Sequence, residues 1–252
     1  MLTLYDLGPS KFEDMGLSPF VRAIRFALNY KKIPYTVIDL GMTDIESTAQ
    51  SLGVPPTTDS STGSKRYTVP FIHDTTTKTP TVISDSFRIA QHLDTAYPDT
   101  PRLIPPGTEM LQSAFCTSVF HAVVPLLPII RPITAQKYLT PEFRESVRRR
   151  FGEGGVSKAL SADEEKEGWK KFVTAMTVLV EGYDESESDS EEVFVMGGDS
   201  PTFADIYMTA FTWWVREIVG DSDGWKEVAG LRRGKVERLT EATLAVCKGS
   251  RS

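Results

Sequence analysis

The sequence predicts an α/β domain followed by an all-α one, and three observations predict it. Short β-rich runs alternate with helical patterns from Met1 to about Tyr97. Prolines at 98, 101, 105 and 106 crowd the next ten residues and read as a linker. Beyond them no run carries the period-two alternation of a strand. The expected units are therefore residues 1–97, a linker at 98–107, and a helical domain at 108–252.

The first domain reads in the order βαβ-α-ββα. Leu2 to Leu7 alternates apolar and polar residues, as a half-buried strand does. Ser18-Pro19 then opens a helix, with Ser at the N-cap and Pro at the first helical position. Phe20, Ala23, Ile24, Ala27 and Leu28 share one face of it, and Arg22, Arg25 and Asn29 are expected to point elsewhere. Pro34 marks the exit, and Tyr35 to Leu40 is β-branched and strand-like. Thr43-Asp-Ile-Glu46 has the form of a capping box for a short helix toward Leu52. The Gly, Pro, Ser and Thr of residues 53–65 predict a surface loop. Thr68 to Ile72 reads as extended, Thr81 to Ile83 as a short strand, and Ser84-Asp85-Ser86 as the cap of a helix ending near Tyr97. The short turn between the last two strands implies an antiparallel pair, and the first βαβ unit a parallel one.

In the second domain, Met110–Ile130 is apolar at helical spacing, with Pro125, Pro128 and Pro132 kinking or ending it. Helices are expected at 141–151, 162–180, 201–219 and 225–246, and a solvated acidic loop at 181–192.

Composition removes several function classes. The chain has 252 residues, with 28 basic against 34 acidic side chains and a net charge of −6. Neutralising phosphates needs a concentrated basic face, so no nucleic-acid partner is expected. No stretch reads as the roughly 20 consecutive apolar residues of a membrane span. Met1 to Gly8 lacks a basic and then apolar leader, so a cytoplasmic location is expected. Two cysteines and three histidines rule out a disulfide framework and a conventional zinc cluster, and no metal is expected.

Three local signals carry chemistry. The helix opened by Ser18 has unpaired N–H groups and partial positive charge at its start, which favour an anion. A thiolate there, receiving a hydrogen bond from Ser18, would gain up to ~2 kcal/mol from the dipole and ~1.5–3 kcal/mol from the bond. At ~1.36 kcal/mol per pKa unit, that would lower a thiol by roughly two to three units, from near ~8.5 to largely ionised at neutral pH. The plainer reading of Ser18 is an N-cap. Val69-Pro70 before a strand is the second signal, because a cis bond there would free the Val69 backbone to pair with an extended peptide. Asp85-Ser86 is the third. Ser86 and its helix start suit a ligand carboxylate, Asp85 a ligand ammonium, and together they suit the α-amino-acid end of a molecule.

Ser-Pro after strand one, Val-Pro before a strand and Asp-Ser after the next are a combination that resembles the glutathione transferase family. Its N-terminal domain is thioredoxin-like and its C-terminal domain is helical, and the resemblance spans essentially the whole chain. Gly198-Asp-Ser-Pro-Thr-Phe-Ala-Asp205 is similar to the family's N-capping box, in which Asp205 would reach back to Thr202. Leu4 to Leu7, Ser18 to Lys31, and Ser84 to Asp94 followed by Tyr97-Pro98 resemble the etherase-related, fungal-specific branch, relatives of bacterial β-etherases.

The resemblance implies glutathione as co-substrate, its thiolate held by Ser18 and attacking an electrophile. Phe20, Val69, Pro70, Asp85 and Ser86 would bind the tripeptide. Asp stands where the family commonly has Glu before Ser86, which shortens the reach to the ligand amine. The long 53–65 loop leaves Gln50, Lys65 and Arg66 as alternatives for the glycyl carboxylate. Phe115 and Val119, spaced i, i+4, are expected to wall a site for hydrophobic or phenolic small molecules. Peroxidase or ether-cleaving activity is implied as an accessory, and a homodimer as the assembly. The alternative function is a non-catalytic ligandin for polyphenols. Cys116 and Cys247 read as core and incidental residues, His73-Asp74 as a turn contact, Arg148-Arg149-Arg150 as a solvated face, and Phe203, Phe211, Trp213 and Trp214 as mostly core.

Overall fold

A computed structural model describes residues 1–12, 16–58, 63–152, 156, 160–181 and 193–247. β1 (Leu2–Leu7), α1 (Pro19–Tyr30), β2 (Tyr35–Leu40) and α2 (Ile45–Ser51) come first. β3 (Thr57–Thr58), β4 (Lys65–Arg66), β5 (Phe71–Asp74), β6 (Thr81–Ser84) and α3 (Ser86–Ala96) complete the N-terminal domain. Its main sheet is mixed, in the order β2-β1-β5-β6. β1 runs parallel to β2 in the register Leu2↔Tyr35, and antiparallel to β5 in the register Tyr5↔Phe71. β5 and β6 are antiparallel, with Phe71 opposite Ser84. β1 is central and correspondingly buried at Leu2, Leu4, Tyr5 and Asp6, whereas the edge strand β2 alternates exposed and half-buried positions. This is the thioredoxin-like arrangement.

The helical domain comprises α4 (Glu109–Val123), α5 (Leu127–Lys137), α6 (Pro141–Phe151), α7 (Ala162–Val180), α8 (Phe203–Val219), α9 (Asp223–Gly230) and α10 (Lys235–Cys247). α8 is its axis, buried along almost its whole length and packed on α4, α5 and α10, and it also packs on α1 of the first domain. The Asp205 carboxylate, fully buried, accepts the Thr202 N–H and hydroxyl at 2.8 and 2.7 Å and the Val195 N–H at 2.6 Å. That is the reach-back expected at the start of α8.

The first domain and the linker meet at a buried ion pair. Lys31 at the end of α1 places Nζ 2.8 Å from Asp94 Oδ1 and donates to the Pro101 carbonyl at 2.9 Å. Asp94 also accepts the amides of Leu103 and Ile104, which begin the run into α4.

Several sequence expectations change. Where a plain loop is expected over 53–65, β3 pairs antiparallel with β4, Thr57 opposite Arg66 and Thr58 opposite Lys65. α2 begins after Asp44, which makes no side-chain cap, so the expected box does not form. The last helix breaks in two: Arg232 and Arg233 adopt positive φ, and Gly234 is left-handed, ending one helix before the next starts. Helix runs continuously from Glu109 to Lys137 because a 3-10 turn at Val124–Leu126 carries it past Pro125, and Pro128 sits at a first-turn position where it costs no hydrogen bond. That segment is long and apolar enough to cross a membrane by composition, contrary to the sequence reading. In the fold it places Cys116, Val119, Val123, Leu126 and Ile130 in the protein core. Asp74 pairs with His92 (2.9 Å) and Tyr97 (3.0 Å) and caps Thr76, while its neighbour His73 faces none of these. Residues 182–192, expected as an acidic loop, lie outside the described residues.

Candidate functional site

The sheet register brings the three chemical signals to one edge. β1 leads into the loop that ends at Ser18; β5 begins just after Val69-Pro70; and β6, antiparallel to β5, ends at Ser84 opposite Phe71. Ser18, Val69 and Asp85-Ser86 therefore all leave the sheet at the same end.

Ser18 occupies the N-cap position of α1 with extended backbone, φ −86 and ψ 125, yet its side chain caps nothing. It is 6% exposed, and its hydroxyl has no hydrogen-bond partner among the described residues. Ser18 is thus the N-cap by position and backbone, but its hydroxyl makes no capping hydrogen bond. Val69-Pro70 is cis, and the Val69 N–H and C=O have no partner among the described residues. Asp85 has φ +78, a backbone region costing a non-glycine residue about 1–3 kcal/mol. Its Oδ1 accepts the Phe87 and Arg88 amides, both at 3.0 Å. Oδ2 makes no such bond among the described residues. Ser86 is buried, at the first position of α3, and its hydroxyl is also unpartnered among the described residues.

An aromatic chain joins the two helix starts across the domains. Phe20, two residues after Ser18, meets Phe211 edge-on at 5.0 Å, Phe120 at 5.4 Å and Tyr207 at 6.1 Å between centroids. Tyr207 reaches Phe203 (6.0 Å), and Phe203 reaches Phe87 (5.8 Å), next to Ser86. Burial, with the Asp85 charge adding to it, raises the Tyr207 phenol well above its ordinary value, so it stays protonated. Cys116 is inert for the same reason: burial first, then Asp85 and Asp205, push its thiol far up. Burial pushes Cys247 up to about 12; it is a core residue rather than part of an exposed tail.

The other expected site residues differ in exposure. Val119 is fully buried and cannot touch a ligand in a cleft, while Phe115 is half-buried. The aromatic residue that α4 turns toward Phe20 is Phe120. Gln50 is exposed and donates to Glu46 on its own helix at 3.2 Å. Lys65 and Arg66 are exposed on the β4 hairpin strand. Phe120 and Tyr207 are the residues sequence reasoning missed; α4 is apolar on several sides, so spacing alone does not choose its cleft-facing one.

Beneath the Ser18 loop lies a second titratable group. Asp6 is fully buried, 2.9 Å from Arg25 Nη2, and accepts the Leu7 amide. Burial raises its pKa to about 6 against the lowering pull of Arg25. A Cβ on Gly16, whose φ is +74, would collide with this carboxylate. A carboxyl raised on folding stabilises the protein below its unfolded pKa and loses that contribution as pH rises through its folded pKa. Relative to Asp6→Asn, the wild type should gain stability as pH falls from 7.5 to 4, by about 2 kcal/mol. Urea midpoints of the two proteins across that range check this; parallel curves would contradict it.

Comparison with known proteins places these features. The C-terminal domain model of glutathione S-transferases matches residues 109–245, and the N-terminal domain model residues 13–101. The glutathione S-transferase-like protein ustS of Aspergillus flavus is 30% identical over 240 residues, 91% of this chain and 84% of that protein. A glutathione S-transferase of Ceriporiopsis subvermispora, CsGST63524, solved in complex with glutathione, is 31% identical with a TM-score of 0.81, covering 97% of each chain. Glutathione transferase GSTFuA2 of Phanerochaete chrysosporium is 30% identical with a TM-score of 0.78, covering 99% of each. With both domain models matched in sequence order and likeness to these proteins over nearly its full length, the chain belongs to the glutathione S-transferase family.

Proposed function

We propose that this glutathione transferase holds the glutathione thiolate with Ser18 and directs it onto hydrophobic, aromatic or phenolic electrophiles, in the manner of the etherase-related branch. The observation that carries the reading is the Ser18 hydroxyl, on a largely buried residue at a helix start and without a hydrogen-bond partner among the described residues. The Val69 amide and carbonyl supply an edge for the extended tripeptide. Asp85 Oδ2 and the Ser86 hydroxyl are free for its amino and carboxylate groups. On binding, the thiol proton leaves to solvent and the Ser18 O–H donates to the sulfur anion. The sulfur–carbon bond then forms as the electrophile's leaving group departs with its electron pair.

Phe20 and Phe120, the half-buried members of the aromatic chain, favour a planar apolar acceptor beside the sulfur through stacking and edge contacts, with the buried Phe211 and Tyr207 packed behind them. Gln50, Lys65 and Arg66 stay open for the glycyl carboxylate, and a homodimer and a cytoplasmic location belong to the same reading.

Conjugation assays on a panel of aryl electrophiles, run beside thermal-shift measurements with polyphenols, test it. Turnover on aryl electrophiles is expected; stabilisation by polyphenols without any turnover would favour the ligandin instead. Phe120→Ala should raise KM for aryl electrophiles about tenfold and leave KM for glutathione unchanged, given the ~1.4 kcal/mol worth of one aromatic contact.

A further inference from the structure

Arg22 stands on α1 one turn after Ser18, and its side chain is fully buried. Its backbone N–H donates to the Ser18 carbonyl at 2.9 Å. Its Nε donates to the Gly16 carbonyl at 3.0 Å, two residues before Ser18, and its Nη1 lies 2.6 Å from Glu217 Oε2 on α8. The guanidinium is sandwiched between the Phe12 ring, at 4.7 Å, and the Trp213 ring, at 5.2 Å. Burial lowers its pKa, the Glu217 charge opposing that shift.

The same loop is tied to the helical domain at further points. Phe12 stacks on Tyr138 at 3.9 Å, the Lys11 amide donates to the Tyr138 carbonyl at 2.7 Å, and Ser10 bridges Leu139. The Tyr138 hydroxyl donates to the Glu217 carbonyl at 2.9 Å, closing the set. The Phe12, Lys11 and Ser10 contacts join the segment that delivers Ser18 to a domain that does not contain it.

We infer that Arg22, held by Glu217, is a positioning residue: its fork fixes the Gly16–Ser18 segment against the helical domain and so sets where the Ser18 hydroxyl meets the sulfur. Burying a cation is costly, and a planar, bidentate guanidinium between two rings is the group that can hold two oxygens from different domains at once. A lysine would keep the charge but has no second nitrogen at the Nε position to serve the Gly16 carbonyl while its end faces Glu217. The inference rests on the assignment of Ser18 to the sulfur.

The test is the ultraviolet titration of the bound glutathione thiol in Arg22→Lys and Glu217→Gln, with the glutathione Kd measured alongside. Glu217 is about one-third exposed, so Glu217→Gln keeps a folded comparison should Arg22→Lys fold poorly. Both variants are expected to move the titration upward, Arg22→Lys by about one pH unit, a tenfold loss of thiolate near neutrality. The Kd should change less than twofold, because the tripeptide is held elsewhere. In a Ser18→Ala background neither change should move the titration further, since the fork acts through that hydroxyl. Lowered Tm with an unmoved titration, or the same upward shift with Ser18 already removed, would overturn the inference while leaving Ser18 in place. If Ser18→Ala alone leaves the titration where wild type has it, the Ser18 assignment fails first.

Discussion

Ser18→Ala is expected to cut turnover roughly 10- to 100-fold, the equivalent of one hydrogen bond to a charged group at ~1.5–3 kcal/mol. The reasoning is differential. The hydroxyl donates to no protein group among the described residues, so its removal leaves no orphan acceptor and little stability is lost. The thiolate, in contrast, loses its only side-chain donor in this reading and keeps the helix start. Its pKa then rises by about one to two units, and because the thiolate is the reactive form, the rising limb of the pH–rate profile moves to higher pH by the same amount. Ser18→Cys should instead favour exchange with mixed disulfides, a thiolate at that helix start being the group such chemistry needs. Turnover and pH profiles of the three proteins check both points.

The largest stability effect is expected at Asp94→Ala. Asp94 answers the buried Lys31 ammonium and two linker amides, so truncation strands one charge and two N–H groups in the interior. Removing one partner of a buried ion pair costs about 3–5 kcal/mol, roughly 10 °C in Tm for a chain of this size. Lys31→Met should cost less, because Asp94 then keeps its amide donors. Thermal unfolding of the two variants checks the order; equal losses would mean the linker amides contribute nothing.

Much of the fold was legible because it follows from local pattern. The alternation of Leu2–Leu7, the Ser18-Pro19 start and the Asp85-Ser86 cap each involve neighbours within a few residues, and the elements form where these signals stand. The breaks in legibility are long-range. Arg22 reads as pointing away from the apolar face of its helix, yet it is buried, because Glu217, 195 residues later, and the rings of Phe12 and Trp213 enclose it. Arg25 is nearly buried for a similar reason, by Asp6. Val119 and Phe120 differ by one step around a helix apolar on several sides, so only the packing of α4 on α8 decides that Phe120 faces Phe20. The partnerless Ser18 hydroxyl was likewise beyond sequence reading, since a serine before a helix usually caps it.

A crystal structure with glutathione bound measures the central claim most directly. The account predicts the sulfur within hydrogen-bond reach of Ser18 Oγ, roughly 3.5 Å, with the cysteinyl backbone paired to the Val69 N–H and C=O. A sulfur lodged against another group, with Ser18 still unpartnered, would contradict it.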